Sequence, residues 1–136
     1  EFEHGEYFQR TLLELFNSCI KKDKNNYGYI VESGQLHPKT VSEMVDFNNT
    51  IVVCLGLGDL SLDEMVDLCI KHDTEKDWTF NLPRDYLKEH ATDWFAANQM
   101  LKKECPKYNI KYYDTSKNRV DVLNNIMKEI EEDINS

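Results

Sequence analysis

The sequence predicts an α/β fold: a parallel sheet of about three strands flanked by helices. Short β-rich runs at 27–32, 50–55 and 110–114 are separated by stretches of helical periodicity. Strands joined through helices form right-handed crossovers and therefore pair in parallel. The middle run, Thr50-Ile51-Val52-Val53-Cys54-Leu55, is almost wholly apolar, as in a strand covered by helices on both faces.

The elements follow in order. Residues 7–22 read as a helix whose apolar face is Phe8, Leu12, Leu15, Phe16 and Cys19, ended by the polar run Lys21 to Asn26. Residues 27–32, YGYIVE, are aromatic and β-branched and read as a strand that ends in Glu32 and breaks at Ser33-Gly34-Gln35. Pro38 opens a short helix through residue 47, with Val41, Met44 and Val45 turned inward. The strand at 50–55 leads into the loop Gly56-Leu57-Gly58-Asp59-Leu60. Ser61 and Glu64 then form a capping box, and the helix they start runs to about residue 72. Residues 73–80 carry neither period. Pro83 begins a long helix, 83–104, with Leu87, Ala91, Trp94, Phe95 and Leu101 inward, and Pro106 blocks its continuation. After the strand at 110–114 and the loop 115–119, Val120, Leu123, Met127, Ile130 and Ile134 stripe a last helix. No repeat or internal boundary interrupts residues 1–136, which read as one domain. A sheet this thin, with no strand before its first helix, reads as part of a larger one.

Composition narrows the function. The chain has 136 residues, 40% hydrophobic and 30% charged, enough for a core and a solvated surface. Its net charge of -9 argues against a phosphate-tracking nucleic-acid surface, although local cations and backbone amides still allow a nucleotide ligand. The four cysteines, Cys19, Cys54, Cys69 and Cys105, have no CxxC spacing and read as reduced core thiols in a cytoplasmic protein. Asn48-Asn49-Thr50 matches a glycosylation sequon but runs into a strand and reads as chance. No apolar stretch reaches the ~20 residues that span a bilayer. His4, His37, His72 and His90 lack metal-ligand spacing and read as surface residues, and no GxSxG elbow is present.

In a parallel sheet the residues just past strand C-termini line the ligand crevice. The segments 32–38, 56–60 and 114–119 fall there, and 73–80 is placed to fold over it as a lid. An acid at a strand end, Glu32, can reach a metal-bound water or a substrate hydroxyl, and Gly34 lets a ligand approach the backbone. Gly56-Leu57-Gly58, between a strand and a helix, matches half of a dinucleotide-binding fingerprint but has Ser61 in place of its third glycine. Asp73, Glu75 and Asp77 lack the glycine and terminal glutamate of an EF-hand and read as a solvated acidic loop.

The segment YGYIVESGQLHPKTV, residues 27–41, resembles the strand and loop that close the acceptor site of small P-loop kinases related to nucleoside monophosphate kinases, where the pattern is GyiiDGfPrt. Residues 50–69 resemble the next strand and helix of that fold. KHDTEKDWTF, residues 71–80, lies where these kinases carry a mobile lid, and YNIKYYDTSKNRVDVL, residues 108–123, resembles their last strand and purine-binding loop. Together ESGQ, D-x-E-x-D-W-T and DTSKNR look most like bacterial adenylate kinase-like or AAA-type kinases, over about residues 27–130. The resemblance implies the incomplete core of a P-loop NTPase three-layer sandwich, with ATP and Mg²⁺ as donor and a nucleotide or other small molecule as acceptor.

It also implies residue roles. Glu32 stands at the acid position, as base for the acceptor hydroxyl or holder of a Mg²⁺-bound water; the alternative is a solvated strand-end carboxylate. Gln35 binds the acceptor or caps its loop. Lys39 stands near the acceptor-phosphate arginine, or is a surface helix lysine. Trp78 clamps a substrate or anchors the lid. Lys71, Lys76 and Arg84 are the lid's cations. Thr115, Ser116, Asn118 and Arg119 cradle the purine, or cap a helix, or both.

Two departures stand out. The phosphate loop G-x-x-x-x-G-K-[ST] is absent from the 136 residues, and the arginines number only Arg10, Arg84 and Arg119. The chain alone is therefore expected not to turn over, and a non-catalytic interaction domain is the alternative function.

Overall fold

In the computed structural model, which describes residues 2–25 and 27–136 with side chains from residue 5 on, helices start and stop where local chemistry directs. The side chain of His4 and all of Asn26 lie outside the described residues. The elements are α1 (Phe2–Lys22), α2 (Pro38–Met44), β1 (Val53–Gly56), α3 (Leu62–His72), α4 (Arg84–Glu104), β2 (Lys111–Asp114) and α5 (Arg119–Asn135), with a 3-10 turn, Cys105–Tyr108, between α4 and β2. Ser61 and Glu64 form the reciprocal cap of α3: Glu64 N donates to Ser61 Oγ at 3.3 Å and Ser61 N donates to Glu64 Oε2 at 2.7 Å. Pro106 tightens the end of α4 into the 3-10 turn, and Asn109, at φ 57°, reverses the chain toward β2. Pro83 is the N-cap of α4, one position earlier than its sequence suggests.

The chain is mixed α/β with a two-stranded parallel sheet, Val53 opposite Lys111 through Gly56 opposite Asp114. The strand expected at 27–32 is not formed. That segment is irregular and open, with Tyr27 70%, Tyr29 45%, Ile30 98% and Val31 40% exposed. A strand needs a neighbouring edge to receive its amides, and β propensity expresses fit to such a surface more than backbone preference. Gly28, its second residue, weakens it further.

Two apolar clusters hold the fold. Leu13 of α1, Val41 of α2, Val45 just after it, Cys105 and Ile110 bury together, with Cys54 and Tyr112 of the strands against them. Val66 of α3 packs with Leu87 and Ala91 of α4. Above that seam Asp67 and Asp63 bind Arg84, and Asp63 binds Lys88 at 2.8 Å. These pairs are solvent-exposed and screened, so they add little to stability. All four cysteines are free thiols, and burial pushes Cys105 up to about 12.

The helix faces differ in part from their apolar stripes. Gln9 and Leu13 are the buried residues of α1, while Phe8 and Leu15 are exposed. Gln9 earns its burial by accepting a bond from His37 N at 2.8 Å, which fixes α2 against α1. In α5 Ile126 is buried, while Val120, Met127 and Ile134 stay 71%, 56% and 70% exposed. A compact monomer of 16.0 kDa exposes about 7400 Å² by surface scaling, whereas this chain exposes 10354 Å². The excess of about 3000 Å² shows that the helices are less closely packed than in an average monomer of this mass. No helix among the described residues is long and apolar enough to cross a membrane.

Leu87→Ala is expected to lower stability by about 3 kcal/mol, because it opens a cavity in the α3–α4 seam. Lys88→Ala, which removes only an exposed ion pair, should change it by less than about 1 kcal/mol. Urea denaturation at unchanged m-value separates the two.

Candidate functional site

Parallel pairing sets Gly56 and Asp114 side by side at the C-terminal edge of the sheet. The loops after both strands, 57–61 and 115–118, therefore start from one edge, where α/β sheets bind ligands. The centre of this edge is the Asp114 carboxylate. Its Oδ1 accepts from Ser116 N at 2.9 Å and from Ser116 Oγ, and its Oδ2 accepts from Asp59 N at 2.8 Å and Tyr112 Oη at 3.3 Å. Partial burial pushes its pKa up, and the bonds from Ser116, Asp59 and Tyr112 outweigh this and hold it below the ordinary 3.8. Tyr112 is pushed up to about 12, chiefly by burial and against the pull of the Gly58 amide.

The same side chains occupy the 57–59 loop. Leu57 N donates to Asn98 Oδ1 at 2.7 Å, Gly58 N to Tyr112 Oη at 2.8 Å, and Asp59 N to Asp114 Oδ2. Gln99 Nε2 donates to Gly58 O at 2.8 Å, and Lys102 binds Asp59. These three successive amides, which a pyrophosphate would use, have internal acceptors. A Cβ on Gly56 would lie 2.5 Å from the Tyr112 ring, and one on Gly58 would lie 2.6 Å from Tyr112 Oη. Both glycines make room for Tyr112, which is why the loop resembles half of a dinucleotide fingerprint.

The expected site residues separate into groups. Thr115 is buried, with its N and Oγ1 donating to Gly56 O at 2.8 and 3.2 Å, so it splices the two loops. Ser116 is held by Asp114. Asn118 takes a left-handed turn, φ 50°, and its carbonyl accepts from Val122 N at 3.0 Å, while its side chain makes no cap bond. Arg119 opens α5 with an exposed side chain. These four do lie together at the sheet edge.

Glu32, Gly34 and Gln35 lie on the irregular stretch after α1 and do not reach this edge through a strand. Glu32 is exposed. Gln35 N donates to Ser33 Oγ at 3.2 Å, a local turn bond. Gly34 has open space where a Cβ would sit and a φ outside the left-handed range. Lys39 is exposed on α2, 3.9 Å from Glu43.

The segment after α3 is a series of turns. Asp77 accepts from Thr74 N and Oγ1, both at 2.8 Å, and Phe80 N donates to Asp77 O at 3.1 Å. Trp78 sits edge-on to His90 at 5.4 Å and to Trp94 at 6.0 Å, which fixes the segment to α4. Arg84 is committed to Asp67 and Asp63, whereas Lys71 and Lys76 are exposed with no ion-pair partner among the described residues. Among the described residues no three His, Cys, Asp or Glu side chains gather as a metal site.

The sequence placed Asp114 in the crevice segment without giving it a role, and it did not reveal Tyr112, Asn98 or Gln99. Asp114 and Tyr112 share a face of β2 at i, i+2, a signal available in advance. Asn98 and Gln99 meet the loop 41 residues away in sequence, with no local cue. Compared with known proteins, the chain matches no protein-family model, no curated protein and no solved structure.

Gly56→Ala is expected to cost about 1–3 kcal/mol by forcing Tyr112 off its ring position, and less in a Tyr112→Ala background. Gly34→Ala should leave thermal stability within about 1 kcal/mol of wild type or raise it. Because the folded pKa of Asp114 is depressed, its stabilisation is present above 3.8 and is lost as pH falls below that value. Asp114→Asn should therefore flatten the acid arm of a stability–pH curve measured by urea unfolding.

Proposed function

We infer that this chain is the acceptor-, lid- and base-binding part of a small cytoplasmic P-loop kinase, which transfers the ATP γ-phosphoryl group to a nucleotide or other small acceptor. The carrying observation is the shared C-terminal edge of β1 and β2, where Asp114 and Thr115 hold the DTSKNR loop against the end of β1. In this reading Asn118 and Arg119 bind the base at that edge. Lys71 and Lys76 present their free ammonium groups to the transferring phosphate, and Trp78 anchors their segment. Glu32 accepts the proton of the acceptor hydroxyl, beside Gln35 and the open backbone at Gly34. Lys39 adds a weak cation at the acceptor phosphate.

The triphosphate itself does not fit these residues. The 57–59 amides are taken internally, no G-x-x-x-x-G-K-[ST] occurs in the 136 residues, and no three-ligand cluster awaits Mg²⁺ among the described residues. The donor and its Mg²⁺ therefore belong to a phosphate loop outside this sequence, whose strand would pair with the open edge of β1.

A non-catalytic interaction domain is the second reading, favoured by the excess of exposed surface. The packing of Gly56 and Gly58 on Tyr112 disfavours the dinucleotide reading.

The test is phosphoryl transfer from ATP to a panel of nucleoside monophosphates and small hydroxylated acceptors by the full encoded protein. Glu32→Gln is expected to reduce the rate at least about 100-fold with no loss of thermal stability. A full encoded sequence without a phosphate loop, or no ATP binding at millimolar concentration, would overturn the reading.

A further inference from the structure

We propose that the outer face of α4, with Trp78 as its wall, is a docking strip for an arginine-bearing basic segment of a partner protein. This rests on the surface chemistry of α4 and not on the phosphotransfer reading. Three aromatic side chains are exposed together: Trp78 62%, Tyr86 46% and Trp94 37%. Their rings are pinned edge-to-face around His90, Trp78 at 5.4 Å and Tyr86 at 4.6 Å from it, with Trp94 6.0 Å from Trp78. Trp78, Leu82, Pro83 and Tyr86 line a shallow depression beside this cluster. Rigid, exposed Trp and Tyr over a shallow pocket is the composition of a binding hot spot, since little side-chain freedom remains to be lost.

Charge selects the occupant. Tyr86, His90 and Trp94 are spaced i, i+4, i+8 on α4, and Asp85, Glu89 and Asp93 precede each of them by one residue. They form an adjoining stripe, all exposed. None of the three carboxylates has an ion-pair partner among the described residues. The cations next to them in sequence, Arg84 and Lys88, are turned to Asp63 and Asp67 of α3. Lys76 is the one nearby cation in the Trp78 segment, and Glu75 and Asp77 flank it. The strip thus pairs ring faces with uncompensated negative charge, in a chain of net charge -9. A guanidinium satisfies both at once: it stacks on an aromatic ring and forks two N–H bonds to a carboxylate. An ammonium makes the second contact less well, and a phosphate-bearing ligand is repelled.

Trp78 and Trp94 are the chain's two tryptophans, so intrinsic fluorescence reports on this strip. Titration with a repeating Arg-Gly peptide at low salt should change the emission saturably, and a Lys-Gly peptide should bind about 2- to 5-fold more weakly. Trp78→Ala should weaken the Arg-Gly peptide by about 2- to 5-fold. Trp78→Phe should retain most of the affinity, and Glu89→Gln with Asp93→Asn should weaken binding and flatten its salt dependence. Circular dichroism checks the fold of each variant. The proposal is overturned if no saturable change occurs, if the Arg and Lys peptides bind alike, or if the charge-neutralised variant binds as wild type does.

Discussion

The Asp114 carboxylate is the point on which the C-terminal edge of the sheet depends. Strand pairing alone places the ends of β1 and β2 together, but it leaves the loops beyond them undefined. Asp114 reaches both: one oxygen takes the amide and hydroxyl of Ser116, and the other takes the Asp59 amide across the sheet. Tyr112, one pleat earlier on the same face, adds its hydroxyl to Asp114 and accepts the Gly58 amide. The two glycines of β1 and its loop exist because this tyrosine lies over them. A partly buried carboxylate with several donors is stable as an anion, so the electrostatics and the geometry of the edge have one origin.

This arrangement has a consequence for ligands. The three 57–59 amides are each taken by a side chain of the protein: Leu57 by Asn98, Gly58 by Tyr112 and Asp59 by the Asp114 carboxylate. The edge therefore presents its exposed side chains, Asn118 and Arg119, and not a backbone cradle. That suits recognition of a ring or a single charged group better than recognition of a polyphosphate. Tyr112, Asn98, Gln99 and Lys102 brace the loop from β2 and α4, so its shape is set before any ligand arrives.

Packing is uneven across the chain. The α3–α4 seam closes around Val66, Leu87 and Ala91, and the second cluster gathers α1, α2 and the turn after α4. The apolar faces at Val120, Met127 and Ile134 of α5 and at residues 27–31 remain in solvent. Apolar area of this extent is unfavourable in water at ~25 cal/mol per Å².

The sequence by itself determined the helices, because their signals are local. The Ser61–Glu64 box, Pro38 and Pro106 fix where helices begin or end whatever surrounds them, and the apolar run at 50–55 marks a strand that finds a partner at 111–114. It also marked 115–119 as the loop between the last strand and the last helix, which the structure forms after β2. Tertiary structure decided the rest. Whether 27–32 becomes a strand depends on pairing its amides with another strand, which they do not do here, so the same residues stay irregular. Which stripe of α1 or α5 is buried depends on the neighbour available. Asp114 became the organising residue only because parallel register brought Gly56 and the 57–59 amides alongside it. Local rules act through a few dihedrals, whereas burial and cross-strand bonds require groups far apart in sequence to meet.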